Sequence, residues 1–263
     1  HLANRGAPAT PRDHRQKINH FIAYVGHDDA NRVTPKDVSD WCDKLQHEEG
    51  KSAKTVADKY LSALKAVFSV GAAKFVIPGN PVAVVQRKVP KKVKERSSGF
   101  TDKEAKAILQ MALVADKADG REPALTKLAF KWVPWLCAYT GARGGEIAQL
   151  RGEDFYEEYG IQTVRITPEA GTVKVGSYRL VPVHPHLIEL GILDMVKQRG
   201  TGPLFYVPND DPREAASTQW GNVRGKVGDW VRKKVGITDE FRGGRALQHG
   251  ERDVGTQCLK WQV

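Results

Sequence analysis

Arg143 and Glu146 stand three residues apart, directly after an apolar stretch that stops at Thr140-Gly141. In a helix that spacing puts both side chains on one face, where the carboxylate can orient the guanidinium. A guanidinium keeps its charge, and its planar fork matches two oxygens of a phosphate, so the pair suits phosphate binding. An ordinary exposed ion pair is the bland alternative. Ile147 and Leu150 then turn back to a core, and Asp154 follows. A second constellation is Lys174-Val175-Gly176-Ser177-Tyr178-Arg179-Leu180-Val181-Pro182-Val183, with a lysine just ahead of a Gly-Ser turn and an arginine beyond it.

The elements that must carry these residues are readable from periodicity. Up to about residue 85 the pattern is helical. Ile18, Phe21, Ile22 and Val25 share one face. A second helix opens at Thr34-Pro35-Lys36-Asp37, with Thr as N-cap and Pro at the first helical position, and continues through Val38, Trp41, Cys42 and Leu45. A third runs from about Ser52 to Lys74 and ends before Ile77-Pro78-Gly79-Asn80-Pro81, which forbids continuation. Thr101-Asp102-Lys103-Glu104 is a capping box that starts a second unit. Helices over Ile108–Leu113 and Leu125–Tyr139 follow, the latter containing Pro134.

After Leu150 the period changes from 3.6 to 2. Val164 and Ile166, then Leu180, Val181 and Val183, predict a β-hairpin. Helix returns from about Pro185 to Met195. A short strand is expected at Leu204–Val207, and a last helix carries Trp220, Val223, Val227, Trp230 and Val231. The fold class expected is therefore mainly α with a small antiparallel β-sheet: a helical domain over 1–86, a linker over 87–99 and a mixed α+β domain over 100–263.

The chain has 263 residues and a formal net charge of +10, which points to a polyanion, nucleic acid being the usual one. Six of the ten residues from Arg87 to Arg96 are basic: Arg87, Lys88, Lys91, Lys92, Lys94 and Arg96. A charge run of this kind is most often a solvated surface. Its position between two folded units makes a DNA-tracking linker the reading adopted. No apolar run reaches the roughly 18 residues of a membrane span. The start, His1-Leu2, has neither an apolar signal segment nor a Met, and reads as trimmed from a longer protein. Cys42, Cys137 and Cys258 lie far apart; the first two fall on apolar helical patterns and read as buried reduced thiols, without a zinc site.

The block Thr140-Gly141-Ala142-Arg143-Gly144-Gly145-Glu146-Ile147-Ala148-Gln149-Leu150, with Asp154 beyond it, resembles the first signature box of the tyrosine recombinases, the phage integrase family. The Lys174–Val183 segment resembles that family's lysine hairpin, and the third helix with Asn80-Pro81 resembles its core-binding domain. The resemblance implies a helical DNA core-binding domain followed by a catalytic domain, closing together around double-stranded DNA. It implies that Arg143 grips the phosphate to be cut, that Glu146 buttresses it and that Lys174 acts as general acid. Arg179 joins the linker cations as a DNA-binding residue. His249 and Arg252, in His249-Gly250-Glu251-Arg252, take the places of a general base and a second arginine. No metal or other cofactor is implied, and a tetramer on DNA is implied for the complete protein. A bacterial, cytoplasmic, nucleoid-associated location goes with that reading.

The family's nucleophile is a tyrosine beyond the H-x-x-R box. Here the last tyrosine is Tyr206, and after about Asp239 the chain is rich in glycine and arginine. The end reads as truncated or aberrant. Two readings follow: a site-specific recombinase that works through a 3′-phosphotyrosyl intermediate but lacks its nucleophile in this chain, or a catalytically inactive DNA-binding protein or regulator derived from one.

Overall fold

Thr34 caps the second helix as its sequence requires: its hydroxyl accepts from the Asp37 backbone N–H, and the Asp37 carboxylate accepts from the Thr34 N–H at 2.8 Å. The computed structural model describes residues 9–90, 99–118, 120–171, 177–208 and 216–237. The chain divides into two compact units, His1–Lys94 and Glu95–Val263.

In the first unit α1 (Ala9–Val25) and α2 (Pro35–His47) meet a long helical rod. That rod begins as α3 (Ala53–Thr55), passes through a π-helical stretch at Val56–Leu61 and ends as α4 (Ser62–Ala73). The apolar spacing predicts one regular helix there; the wider turn lets Val56 and Leu61 both reach the core. Trp41 is the centre of that core, fully buried and edge-on to Phe21 and Tyr60. Its indole N–H donates to His20 Nδ1 at 3.0 Å, while His20 Nε2 faces Glu49 at 3.0 Å.

In the second unit Thr101 and Glu104 form the expected capping box on α5 (Asp102–Leu113). α6 (Ala124–Thr140) continues through Pro134 and buries Trp132, Val133, Trp135 and Leu136. α7 (Gly144–Ala148) is short and lies on α6. Three antiparallel strands follow: β1 (Phe155–Glu158), β2 (Ile161–Ile166) and β3 (Arg179–Pro182). Val164 pairs with Phe155 on one side and with Val181 on the other. β1 is an addition to the expected hairpin; its Phe-Tyr-Glu-Glu sequence has too little alternation to announce a strand.

Two further expectations are corrected. The helix read over Pro185–Met195 is two, α8 (Pro185–Glu189) and α9 (Ile192–Arg199), because Gly191 adopts φ +88° between them. Leu204–Val207 is not a strand. Leu204 N–H donates to Leu150 carbonyl and Pro203 forms an isolated bridge with Arg151, but Gly152 turns away into a 3-10 helix and pairing stops. α10 (Ala216–Lys233) is the last helix among the described residues, with Trp230 stacked on Phe130 at 5.3 Å. Among the described residues no helix is long and apolar enough to cross a membrane.

Candidate active site

The Thr140-Gly141 turn is a small machine for stopping α6. Gly141 takes φ +64°, a left-handed conformation that favours glycine. The Thr140 hydroxyl donates to the Leu136 carbonyl at 2.6 Å and accepts from the Ala142 N–H at 3.2 Å. The chain therefore leaves the helix with its polar groups satisfied, and Arg143 emerges at the N-cap of α7. Glu146 sits in the first turn of α7, where its carboxylate accepts from the Arg143 backbone N–H at 3.3 Å. Ile147, Ala148 and Leu150 are buried and anchor the segment. Asp154, wholly buried, accepts from Arg151 Nη2 at 2.7 Å and from its Nε at 3.2 Å, so the box is also tied at its far end.

Glu146 is 3% exposed and accepts from two guanidinium groups. Arg143 Nη1 reaches its Oε1 at 3.0 Å, and Arg179 Nη2 reaches its Oε2 at 2.7 Å. Burial alone would raise the carboxyl's pKa, but the hydrogen bonds from Arg179 and Arg143 outweigh it and hold the group below its usual value. The neighbouring Cys137 thiol is pushed up to about 12 by burial and by the Glu146 charge, which makes it an inert neutral thiol at physiological pH. Two guanidinium groups thus converge on one buried carboxylate, and the guanidinium fork is the side-chain shape that suits phosphate.

Three other residues shape the site that were not singled out in the sequence. Gln149 is 1% exposed, and its amide N–H donates to the Thr167 carbonyl at 3.5 Å. A Cβ on Gly171, the last described residue before the lysine segment, would lie 2.2 Å from Gln149 Oε1 and 3.1 Å from Trp220 Nε1. A Cβ on Gly145 would lie 3.2 Å from the far edge of the same indole. Trp220 thus packs between the box helix and the base of the lysine segment. A polar Gln inside the apolar run Ile147–Leu150 was the available signal for a buried partner; nothing local marked the two glycines.

Lys174, His249 and Arg252 lie outside the described residues, as do Lys91, Lys92, Lys94 and Arg96. Lys88 is exposed. Arg87 is not a free linker cation. Its guanidinium grips Asp43 at 2.6 and 3.1 Å and donates to the carbonyl and hydroxyl of Ser39, strapping the chain after α4 onto α2. The contact became possible because the chain folds back over α2, which a linear charge count does not register. Among the described residues no group of three or more His, Cys, Asp or Glu side chains could hold a metal ion.

Residues 1–73 match the phage integrase N-terminal SAM-like domain. Over 94% of its length the chain superposes on 80% of a lambda integrase chain, from a dimer bound to a COC′ core site, with a TM-score of 0.59 and 24% identity. Residues 1–73 thus carry a phage integrase N-terminal SAM-like domain, and the chain has the fold of lambda integrase. A lambda integrase chain from a tetramer bound to a Holliday junction is similar over all of this chain and 70% of its own, at TM-score 0.60 and 22% identity. The XerH site-specific recombinase, in a pre-cleavage complex with its difH substrate, is similar over 89% and 64%, at TM-score 0.54 and 18% identity. No curated protein sequence matches the chain. In this fold Arg143, Glu146 and Arg179 converge from the box and from β3.

Proposed function

We propose that this chain binds duplex DNA at a phosphodiester and belongs to the machinery of site-specific recombination or integration. The observation that carries the reading is the convergence of Arg143 and Arg179 on the buried Glu146 within a recombinase fold. Arg143 takes the phosphate, Glu146 holds Arg143 in place, and Lys174 supplies the proton to the departing 5′ oxygen. His249 and Arg252 complete the set as base and second arginine, stabilising charge on the non-bridging oxygens. The reaction needs neither metal nor other cofactor. Self-association on DNA, as in the lambda integrase dimer and tetramer, goes with this reading, as does a bacterial, cytoplasmic and nucleoid-associated location.

The nucleophile is the point at which two readings divide. The 263 residues contain no tyrosine after Tyr206, and burial pushes the Tyr206 phenol up, away from the phenolate that would attack. We infer that these residues bind DNA without cutting it, which also supports the alternative of an inactive DNA-binding regulator. Binding to duplex DNA should weaken steeply between low and moderate salt. A nicked suicide substrate should yield no denaturation-resistant adduct. Salt-independent binding would remove the electrostatic argument, and an adduct would show that a tyrosine such as Tyr178 or Tyr206 serves as nucleophile.

A further inference from the structure

Tyr139 directly precedes the Thr140-Gly141 corner, and a distant part of the chain holds it there. Its hydroxyl and His186 Nδ1 share a hydrogen bond at 2.6 Å. His186 lies in α8, and His184 is the residue that caps that helix: His184 Nδ1 accepts from the His186 backbone N–H at 3.1 Å. The His184 ring lies against the Tyr139 ring, with centroids 4.5 Å apart. Trp135, one turn back on the same face of α6 and 7% exposed, stacks on Tyr139 and meets His186 edge-on at 5.2 Å. Two aromatic residues of α6 and two histidines that follow β3 thus form one cluster.

The stretch from Arg179 to His186 therefore meets the α6–α7 corner twice. At its start Arg179 Nη2 donates to Glu146, and at its end His186 bonds Tyr139. Between these two points the stretch is itself fixed, because β3 pairs with β2 and the Val183 N–H donates to the Gln162 carbonyl at 2.7 Å. Thr140, Gly141, Ala142 and Arg143 lie between Tyr139 and Glu146. A corner built on a glycine at φ +64° has little stiffness of its own, so its geometry is set by what holds its two sides. We propose that Tyr139 and His186 are positioning residues for the phosphate site: their hydrogen bond fastens the near side of the corner from which Arg143 emerges, as the trio of Arg143, Glu146 and Arg179 fastens the far side. This role rests on the reading of Arg143 as the phosphate-gripping residue. A group held in place before its ligand arrives saves the cost of ordering it on binding. A loosened corner therefore shows itself as weaker DNA binding by a chain that is still folded.

Duplex binding by conservative variants separates this role from a merely structural one. The chain and its variants are titrated against a short fluorescent duplex at one salt concentration, well below the melting temperature that a thermal melt gives for each. Tyr139→Phe keeps the ring and its stacking and removes only the hydroxyl. It should weaken binding about fivefold, the size of one net hydrogen bond. His186→Leu should weaken it to the same extent, and the double variant no further, because both changes remove one bond. His186→Asn, whose amide reaches the place of Nδ1, should bind within about twofold of the parent. In an Arg143→Ala background Tyr139→Phe should cost less than about twofold, because no guanidinium remains to be placed. Parent-like binding by Tyr139→Phe overturns the proposal, and so does binding by His186→Asn as weak as by His186→Leu. A loss that persists at full size in the Arg143→Ala background also overturns it, by assigning the pair to the fold or to the DNA directly. Arg143→Ala distinguishes the underlying reading: if it binds as tightly as the parent, that reading falls too, whereas weak binding by Arg143→Ala with parent-like binding by Tyr139→Phe removes only the role of Tyr139 and His186.

Discussion

Arg179 Nη2 and the Arg143 backbone N–H both donate to Oε2 of Glu146, at 2.7 and 3.3 Å, so one buried oxygen ties the sheet to the start of α7. Removing the carboxylate takes away the buried acceptor that both guanidinium groups share. Glu146→Ala should therefore destabilise the second unit by about 2–3 kcal/mol, the range for breaking a buried charged network. Urea unfolding of the variant measures this. A loss below about 0.5 kcal/mol, the range of an ordinary surface substitution, would mean the trio is not a structural joint.

The same carboxylate makes stability depend on pH in a defined direction. Its folded pKa lies below the ordinary glutamate value of 4.5. The stabilisation is thus fully present above 4.5, where the unfolded chain is ionised too, and is lost as the pH falls through the lower folded value. Acid unfolding of Glu146→Gln should show a shallower decline below pH 4.5 than the parent. Superimposable curves would count against the arginine contacts.

Gly152 is required for space and Gly160 for conformation, and the two should behave differently. A Cβ on Gly152 would lie 1.8 Å from the Gly200 carbonyl oxygen, a backbone atom with no rotamer to yield. Gly160, at the exposed β1–β2 turn, has φ +77° and open space around it. Gly152→Ala should cost about 3 kcal/mol or more, as severe overpacking does, and Gly160→Ala about 1 kcal/mol from backbone strain alone. Equal losses in thermal melts would contradict that division.

Gly171→Ala should act on the site rather than on the fold. The new methyl would displace the Gln149 amide, 2.2 Å away, and press on Trp220. The expected result is weakened DNA binding with a blue or red shift in tryptophan emission, while the melting temperature falls by only a few degrees, corresponding to about 1 kcal/mol. Unchanged emission and binding would show that the lysine segment does not depend on this contact.

Arg87 and Lys88 are neighbours with opposite expected readouts. Arg87→Ala removes the strap to Asp43 and Ser39 and should destabilise the first unit by about 1 kcal/mol, without altering the salt slope of DNA binding. Lys88→Ala, at an exposed position, should leave stability untouched. A lower salt slope for Arg87→Ala would return that residue to the DNA-tracking cations.

Much of the local structure is written in short-range signals. Thr34 and Thr101 announce their capping boxes because the motif is complete within four residues, and Thr140-Gly141 ends α6 for equally local reasons. The stripes through Trp41 and Leu45 and through Val223 and Val227 lie in the cores of the two units, since burial follows helical period. The π-helical turn at Val56–Leu61 and the break at Gly191 are not legible this way. Each depends on which neighbour the helix meets.

The sequence by itself determined the two helical beginnings, the sheet's place between helices, and the one-face spacing of Arg143 and Glu146. Only the tertiary structure decided that Arg179 shares Glu146, that Arg87 belongs to Asp43, and that Gly145 and Gly171 both yield space to Trp220. The physical reason is the reach of the interactions. Caps and helical faces are settled within a few residues, whereas a carboxylate shared across 33 residues exists only after the sheet has brought β3 to α7.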